Sequence, residues 1–261
     1  MKINSRIATA RKEEIFGEQE LPDCEIKLLA YLIAEGHTKK VVLFANSDEV
    51  LIEEFRIILK TFDPKLELVK DKKDHYRIIE TNFKSAFPKN VSKLGEEYFT
   101  KGENGKFYKK RSIRVLIEKH KLFGKLSIEK EIPEIIFKLK KEQLSIFLNR
   151  LFSCDGSIYY NSKRNGWEID YASSSKKLII AVQHLLLRFG ILSKLRYKKV
   201  KCNGKLFDAY ELVIGTENIN KFINEIGFFG KKAEKAQICL KEIEKILRNP
   251  NVDTIPKEIW E

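Results

Sequence analysis

Apolar residues recur at helical spacing over Glu25–Ala34 (EIKLLAYLIA) and again over Gln143–Cys154 (QLSIFLNRLFSC). Each run ends in an acid followed by glycine, Glu35-Gly36 and Asp155-Gly156, with the two acids 120 residues apart. A short polar or β segment follows each, then an amphipathic helix opened by serine: Ser47-Asp48-Glu49 in one copy, Ser173-Ser174-Ser175 in the other. Such starts make good N-caps. Alternating runs predict hairpins. LELV and YRIIE flank the polar tip Lys70–His75, IYY and WEIDYA flank Asn165-Gly166, and KLRYKKV and AYELVIG flank Cys202-Asn203-Gly204-Lys205. Each copy then leads to a further helix, His120–Lys130 (HKLFGKLSIEK) and Glu225–Lys235 (EIGFFGKKAEK). Further amphipathic helices over Ile179–Phe189 and Ile238–Leu247 read as core elements.

The chain thus reads as an α+β protein, α-β-β-α-β-β-α written twice. The predicted halves are 1–139 and 140–261. The first has a shorter first hairpin and an insertion near Phe83–Arg111. The expected architecture is a pseudo-twofold tandem repeat with two antiparallel saddle sheets and helices on their outer face.

Charge adds a partner. Lys and Arg number 50 against 37 Asp and Glu, a formal charge of +13 over 261 residues. Lys194–Lys205 holds six bases and no acid, and Lys101–Arg114 holds six bases against Glu103 alone. A basic two-stranded ribbon fits the DNA major groove, so nucleic acid leads the possible polyanions, although any single lysine run also reads as a solvated face. The four cysteines lie far apart without a CxxC pair, which argues against a zinc finger or disulfide scaffold. The four histidines show no HNH or HExxH spacing, and neither a Walker loop nor GxGxxG is present. With no long apolar run and no secretory pattern, the expectation is a cytoplasmic chain acting on intracellular DNA.

The two acids sit awkwardly. A carboxylate in the last helical turn faces the negative end of the helix dipole, where lysine is the natural choice. Two of them at equivalent positions of a repeat call for another cause. Helices packed about a pseudo-twofold would bring the carboxylates together, to repel unless a divalent cation lies between them. Oxygen donors suit Mg²⁺.

At these residues the chain resembles a known family. Leu28-Leu29-Ala30-Tyr31-Leu32-Ile33-Ala34-Glu35-Gly36 and Leu148-Asn149-Arg150-Leu151-Phe152-Ser153-Cys154-Asp155-Gly156 are similar to the paired LAGLIDADG (dodecapeptide) motifs of homing endonucleases, closest to the intein-encoded branch. The resemblance implies motif helices at the interface between halves, and Glu35 and Asp155 binding divalent metal with the backbone carbonyls of Ala34 and Cys154. It implies Mg²⁺ as the working ion, Mn²⁺ substituting, and Ca²⁺ binding without supporting cleavage. It also implies a monomer with two internal half-sites that cuts both strands of double-stranded DNA and leaves a staggered break. The alternative on the same scaffold is a non-cleaving DNA-binding regulator or an RNA maturase.

Intein-type members carry a lysine near each site. Lys130, before Glu131-Ile132-Pro133, matches the first. For the second, Lys235 is favoured from the parallel of IEK and AEK, with Lys232 close behind. Such a lysine would neutralise phosphate charge or poise a water molecule. The sequence departs from the family pattern in Glu35, where aspartate is usual, and in Arg150, where a small residue is common and local adjustment is expected. Asn46 and a serine, Ser174, stand where some members carry another lysine. DNA contacts are expected from Lys39, Lys70, Lys72 and Lys73 in the first half. In the second they are expected from Asn161, Lys163, Arg164, Arg196, Lys198 and Lys199. Tyr159, Tyr160 and Trp167 are candidates either for DNA contact or for cross-strand packing. No splicing residues are visible, and Asn249–Trp260 resembles the connector after some intein endonuclease domains, so an excised or free-standing intein-type enzyme is expected.

Overall fold

A computed structural model gives the fold, and the structure describes residues 15–81, 98–101, 106–202 and 204–244. The first half contains α1 (Asp23–Ala34), β1 (Gly36–His37), β2 (Leu43–Ala45), α2 (Glu49–Phe62), β3 (Leu66–Lys72), β4 (His75–Glu80), β5 (Phe99–Lys101), β6 (Phe107–Lys109) and α3 (Ser112–Lys119). The second contains α4 (Lys141–Asp155), β7 (Gly156–Asn161), β8 (Gly166–Ser173), α5 (Lys176–Arg188), β9 (Lys194–Cys202), β10 (Lys205–Gly215), α6 (Thr216–Glu225) and α7 (Lys231–Ile243). The strands form two antiparallel four-stranded sheets of matching order, β1-β2-β4-β3 and β7-β8-β10-β9. The expected α+β repeat is therefore present, with β5 and β6 as an additional two-stranded ribbon in the first half.

The two motif helices form the centre. From Leu28 to Ile33 every side chain of α1 is at most 1% exposed. That all-round apolar pattern is what a helix buried on every side requires. α1 packs on α4, whose Leu144, Phe147, Leu148, Leu151 and Phe152 are equally buried. Each sheet turns one face to the helices. In the first sheet Phe44, Tyr76 and Ile78 face inward. In the second Ile169, Tyr171, Leu212 and Ile214 do so. With a period of two, the alternate residues form an open face on each sheet.

Several local expectations are corrected. The N-cap of α2 is Asp48, whose carboxylate accepts from Val50 N at 3.1 Å, and not Ser47. Ser175 does cap α5, accepting from Leu178 N at 3.2 Å. The stretch 120–130 is not a helix. Left-handed Lys121 (φ 57°) and Gly124 (φ 81°) break it, and only a short 3₁₀ turn forms over Ser127–Glu129. The stretch 225–235 joins the end of α6 to the start of α7 through Gly227 and Gly230, both at positive φ. β7 and β8 are joined by residues 162–165, with Asn165 left-handed (φ 51°) and Gly166 already paired to Asn161. The Cys202–Lys205 pair closes the expected two-residue turn, with Gly204 at φ 78°. Part of the insertion and the tail from Lys245 onward, including the end of the Ile238–Leu247 stretch and Asn249–Trp260, lie outside the described residues.

Candidate active site and nucleic-acid face

Glu35 closes α1 and Asp155 is the last residue of α4, so the packing of the two helices brings both carboxylates to one place. Each following glycine is sterically required. A Cβ on Gly36 would lie 2.4 Å from Leu32 O, and one on Gly156 would lie 2.6 Å from Phe152 O. The chain turns from helix to strand by folding tightly over its own last turn. That places the first strand of each sheet beside its acid.

The two acids are costly to ionise. Burial, then the nearby charge of Asp155, raises Glu35 to about 7, with Lys232 and Lys130 pulling the other way. Burial raises Asp155 to about 6 against the same two lysines. Asn46 Nδ2 donates to Glu35 Oε1 at 3.3 Å.

Neither motif helix has a base in its last turn, and the missing positive charge arrives from elsewhere in the chain. Lys130, only 4% exposed, donates to Leu32 O (3.0 Å), Ile33 O (2.8 Å) and Gly36 O (2.7 Å). An ammonium has three protons, and here two carbonyls of the last turn of α1 and one at the start of β1 take them. Lys232 repeats the arrangement on α4, donating to Ser153 O and Cys154 O at 2.7 Å and reaching Phe152 O at 3.5 Å. Both add a donor to carbonyls at the helix ends, where Leu32 O also takes Glu35 N and Phe152 O also takes Gly156 N, and both complement the negative dipole ends. Burial lowers Lys130 to about 8 and also lowers Lys232, while the carboxylates oppose both shifts.

Lys130 and Lys232 are thus both at the centre, whereas Lys235 lies exposed on α7, one turn further on. The geometry also gives Lys130 a different task from the expected one: its protons are committed to backbone rather than turned toward a phosphate. Ala34 O lies outside the set that Lys130 caps, and Cys154 O is shared with Lys232. Among the described residues no group of three His, Cys, Asp or Glu side chains could hold a metal ion. The expected donors, the two carboxylates with the backbone carbonyls of Ala34 and Cys154, would make a hard oxygen set of the kind that suits Mg²⁺.

Beside Glu35 a cavity of about 500 Å³ opens, lined by Asn46, Asp48, Asp74, His75, Cys154 and Lys232 among others. The open sheet faces flank this centre. On the second sheet Arg196 pairs across from Glu211, and Lys198 lies two residues further along the same face. Glu168, on that face and 5% exposed, anchors its polar groups. It accepts from Tyr159 (3.0 Å), Asn161 (2.9 Å) and Arg164 (2.8 Å), with Arg196 3.6 Å away. Lys163 stands in the β7–β8 turn.

Lys199 alternates to the other face, opposite Asp208. In the first half Lys72 shares the open face with His75, Lys70 sits opposite core-facing Tyr76, Lys73 is in the turn, and Lys39 is exposed between β1 and β2. Arg77 on this open face, bonded to Asp71 at 2.7 Å, escaped the sequence reading, although its alternation with Tyr76 and Ile78 carried the signal. Trp167 belongs to the core: it is 5% exposed and donates to Glu242 at 2.9 Å. The adjustment around Arg150 is an ion pair. It grips Glu54 of α2 at 2.6 and 2.7 Å, while Tyr31 and Lys27 of α1 donate to the same carboxylate.

Residues 142–227 match the family model of a LAGLIDADG-like domain. The chain is 28% identical over 267 residues to the replicative DNA helicase DnaB of Synechocystis sp., covering 100% of this chain and 28% of that protein. It is 30% identical over 266 residues to the replication factor C small subunit of Methanocaldococcus jannaschii, covering 99% of this chain and 12% of that one. A glutamine–fructose-6-phosphate aminotransferase of M. jannaschii is 25% identical over 245 residues, with 90% and 19% covered. The chain therefore spans well under a third of the length of these relatives. Among solved structures, the homing endonuclease I-WcaI bound to its DNA recognition sequence aligns with a TM-score of 0.49 at 12% identity, covering 90% of this chain and 94% of that one. I-DmoI in complex with DNA and Mn aligns at 0.47 and 14%, covering 78% and 96%. Among the described residues no helix is long and apolar enough to cross a membrane.

Proposed function

We propose that this chain is a site-specific DNA endonuclease module of the intein-associated kind, cutting both strands of a long duplex target by divalent-metal-dependent hydrolysis with a stagger. The observation that carries the reading is the meeting of Glu35 and Asp155 at the ends of two packed helices, between two open sheet faces that present basic residues. The relatives support an inserted module. A helicase, a replication factor C subunit and an aminotransferase carry different names and roles, yet each matches this chain over a minor part of its length.

In this reading Glu35 and Asp155, with the carbonyls of Ala34 and Cys154, hold Mg²⁺, or Mn²⁺ in its place. A divalent cation there supplies Lewis-acid stabilisation toward a phosphodiester. Lys130 and Lys232 keep the two helix ends, and hence the carbonyls, in position. The open faces seat the duplex, with Lys72, Arg77, Asn161, Arg164, Arg196 and Lys198 toward the groove. One chain supplies both half-sites and works as a monomer.

The test is cleavage of a plasmid carrying a target selected from a random library. Linear product with Mg²⁺, and none with Asp155→Asn, supports the reading. Tight binding without cutting in any divalent ion replaces it with a non-cleaving regulator or an RNA-directed relative. Absence of nucleic-acid binding removes both.

A further inference from the structure

The basic segment Lys101–Arg114 is not used by the site described above. In the second half β10 runs directly into α6 at Gly215–Thr216, whereas the first half places the β5–β6 ribbon between β4 and α3. Strand direction locates this addition. β1 leaves the centre at Glu35, and β2 returns to it, with Ala45 N donating to Glu35 O at 3.2 Å. The β1–β2 turn is therefore the outer end of the first sheet. There a cavity of about 240 Å³ lies between that turn and the ribbon, lined both by apolar side chains, Val42, Ile78 and Phe123 among them, and by Lys40, Thr100, Tyr108 and Lys109. No acid lines it. Glu118, nearby on α3, is occupied by Lys110 (2.5 Å) and Arg114 (2.8 Å). Lys40, Lys101 and Lys109 remain exposed.

We propose that the β5–β6 ribbon and the Lys40 turn form a second phosphate-holding surface, which grips duplex backbone flanking the segment under the saddle, on the first half's side only. The inference rests on the duplex-binding reading above. A ribbon of two three-residue strands has no core of its own to build, and its charge excess sits in line with the outer end of a DNA-facing sheet. Lysines with threonine and tyrosine hydroxyls suit phosphate oxygens, which position a protein without reading sequence. The contact with DNA is then lopsided, longer beyond the first half than beyond the second.

The experiment measures duplex affinity against salt for the full chain and for Lys40→Gln/Lys101→Gln/Lys109→Gln. All three positions are exposed, so the variant should melt with the wild type, which calorimetry checks. Each phosphate contact contributes about 0.9 to the slope of log K against log salt, so the variant's slope should be shallower by about 3. A hydroxyl-radical footprint on the selected target should lose protection on one flank only. An unchanged slope and footprint with DNA binding retained would overturn this inference and leave the endonuclease reading standing. A wild-type chain that shows no salt-dependent duplex binding would overturn both.

Discussion

Removing a charge from the centre should stabilise this protein while disabling it. Glu35 is raised from 4.5 to about 7. In the folded chain its ionised form is therefore disfavoured by about 2.5 pH units of proton affinity, or about 3 kcal/mol. The sign follows from linkage. A carboxyl whose folded value lies above its unfolded value costs nothing below the unfolded value. It costs progressively more as pH rises toward the folded one. At pH 8 without divalent ions, Glu35→Gln should thus gain up to about 3 kcal/mol, at roughly 2–4 °C of melting temperature per kcal/mol for a chain of this size. At pH 4 the gain should fall below about 0.3 kcal/mol, because wild-type Glu35 is then largely protonated in both states. Chemical denaturation across pH 4–8, with chelator, measures the difference. A variant that is neutral or destabilised at pH 8 would refute the argument, because it would mean that ionised Glu35 is compensated in the fold. Asp155, raised from 3.8 to about 6, should behave similarly. The double variant should gain less than the sum, since Glu35's shift includes the charge of Asp155.

Calcium should raise the melting temperature at pH 8 and lose that effect near pH 5, where both carboxyls carry protons; a shift of equal size at both pH values would detach metal binding from this pair. Lys130→Met should cost about 3 kcal/mol in urea, because it takes the lysine donor from buried backbone carbonyls. Lys232→Met should cost less, since Lys232 is the more exposed of the two, and equal costs would count against the capping argument. Arg150→Ala should cost about 2–3 kcal/mol, because Glu54 loses its two arginine bonds in the interface and keeps only Lys27 and Tyr31. Arg150→Met/Glu54→Leu should recover most of that, and a double-mutant cycle near zero would show that the pair carries no coupling.

Much of the scaffold could be read from periodicity alone, because the repeat writes the same physical demands twice. The apolar motif helices, the acid-glycine ends and the residue types that cap α2 and α5 are local signals. Tertiary partners are not local. Arg150 stood out in the sequence as an oversized residue at a close helix contact. Its solution, Glu54, lies 96 residues away on α2. Lys232 and Lys235 were separable only once α7 was known to start at Lys231, which puts Lys232 in the first turn against the end of α4. Lys70 and Lys199 show a different failure. Both belong to basic runs, but a strand sends neighbours to opposite faces, and counting bases without applying that period overstated the open faces. The stretch 120–130 lacks the helix its likeness to 225–235 suggests, because left-handed Lys121 and Gly124 interrupt the backbone there.

The halves are alike in backbone and unlike in what holds them together, and this difference bears on the single-chain design. Arg150 stands five residues before Asp155, and the matching position before Glu35 is Ala30. Glu54 lies six residues after the α2 N-cap, and the matching residue after Ser175 is Ala181. The twofold therefore relates a buried ion pair on one side to a pair of alanines on the other. Two copies of the second half packed together would bury two arginines against alanine. Two copies of the first would leave two glutamates without arginine. A buried arginine without a carboxylate costs several kcal/mol, so the second half is complementary to the first and not to itself, while the first half paired with its own copy would keep only Lys27 and Tyr31 on Glu54. That asymmetry permits the two open faces to diverge in sequence, one built around buried Glu168 and the other around Arg77 and His75. Two unlike faces held in fixed order suit a duplex without twofold symmetry, which a symmetric pair of identical halves would read less well.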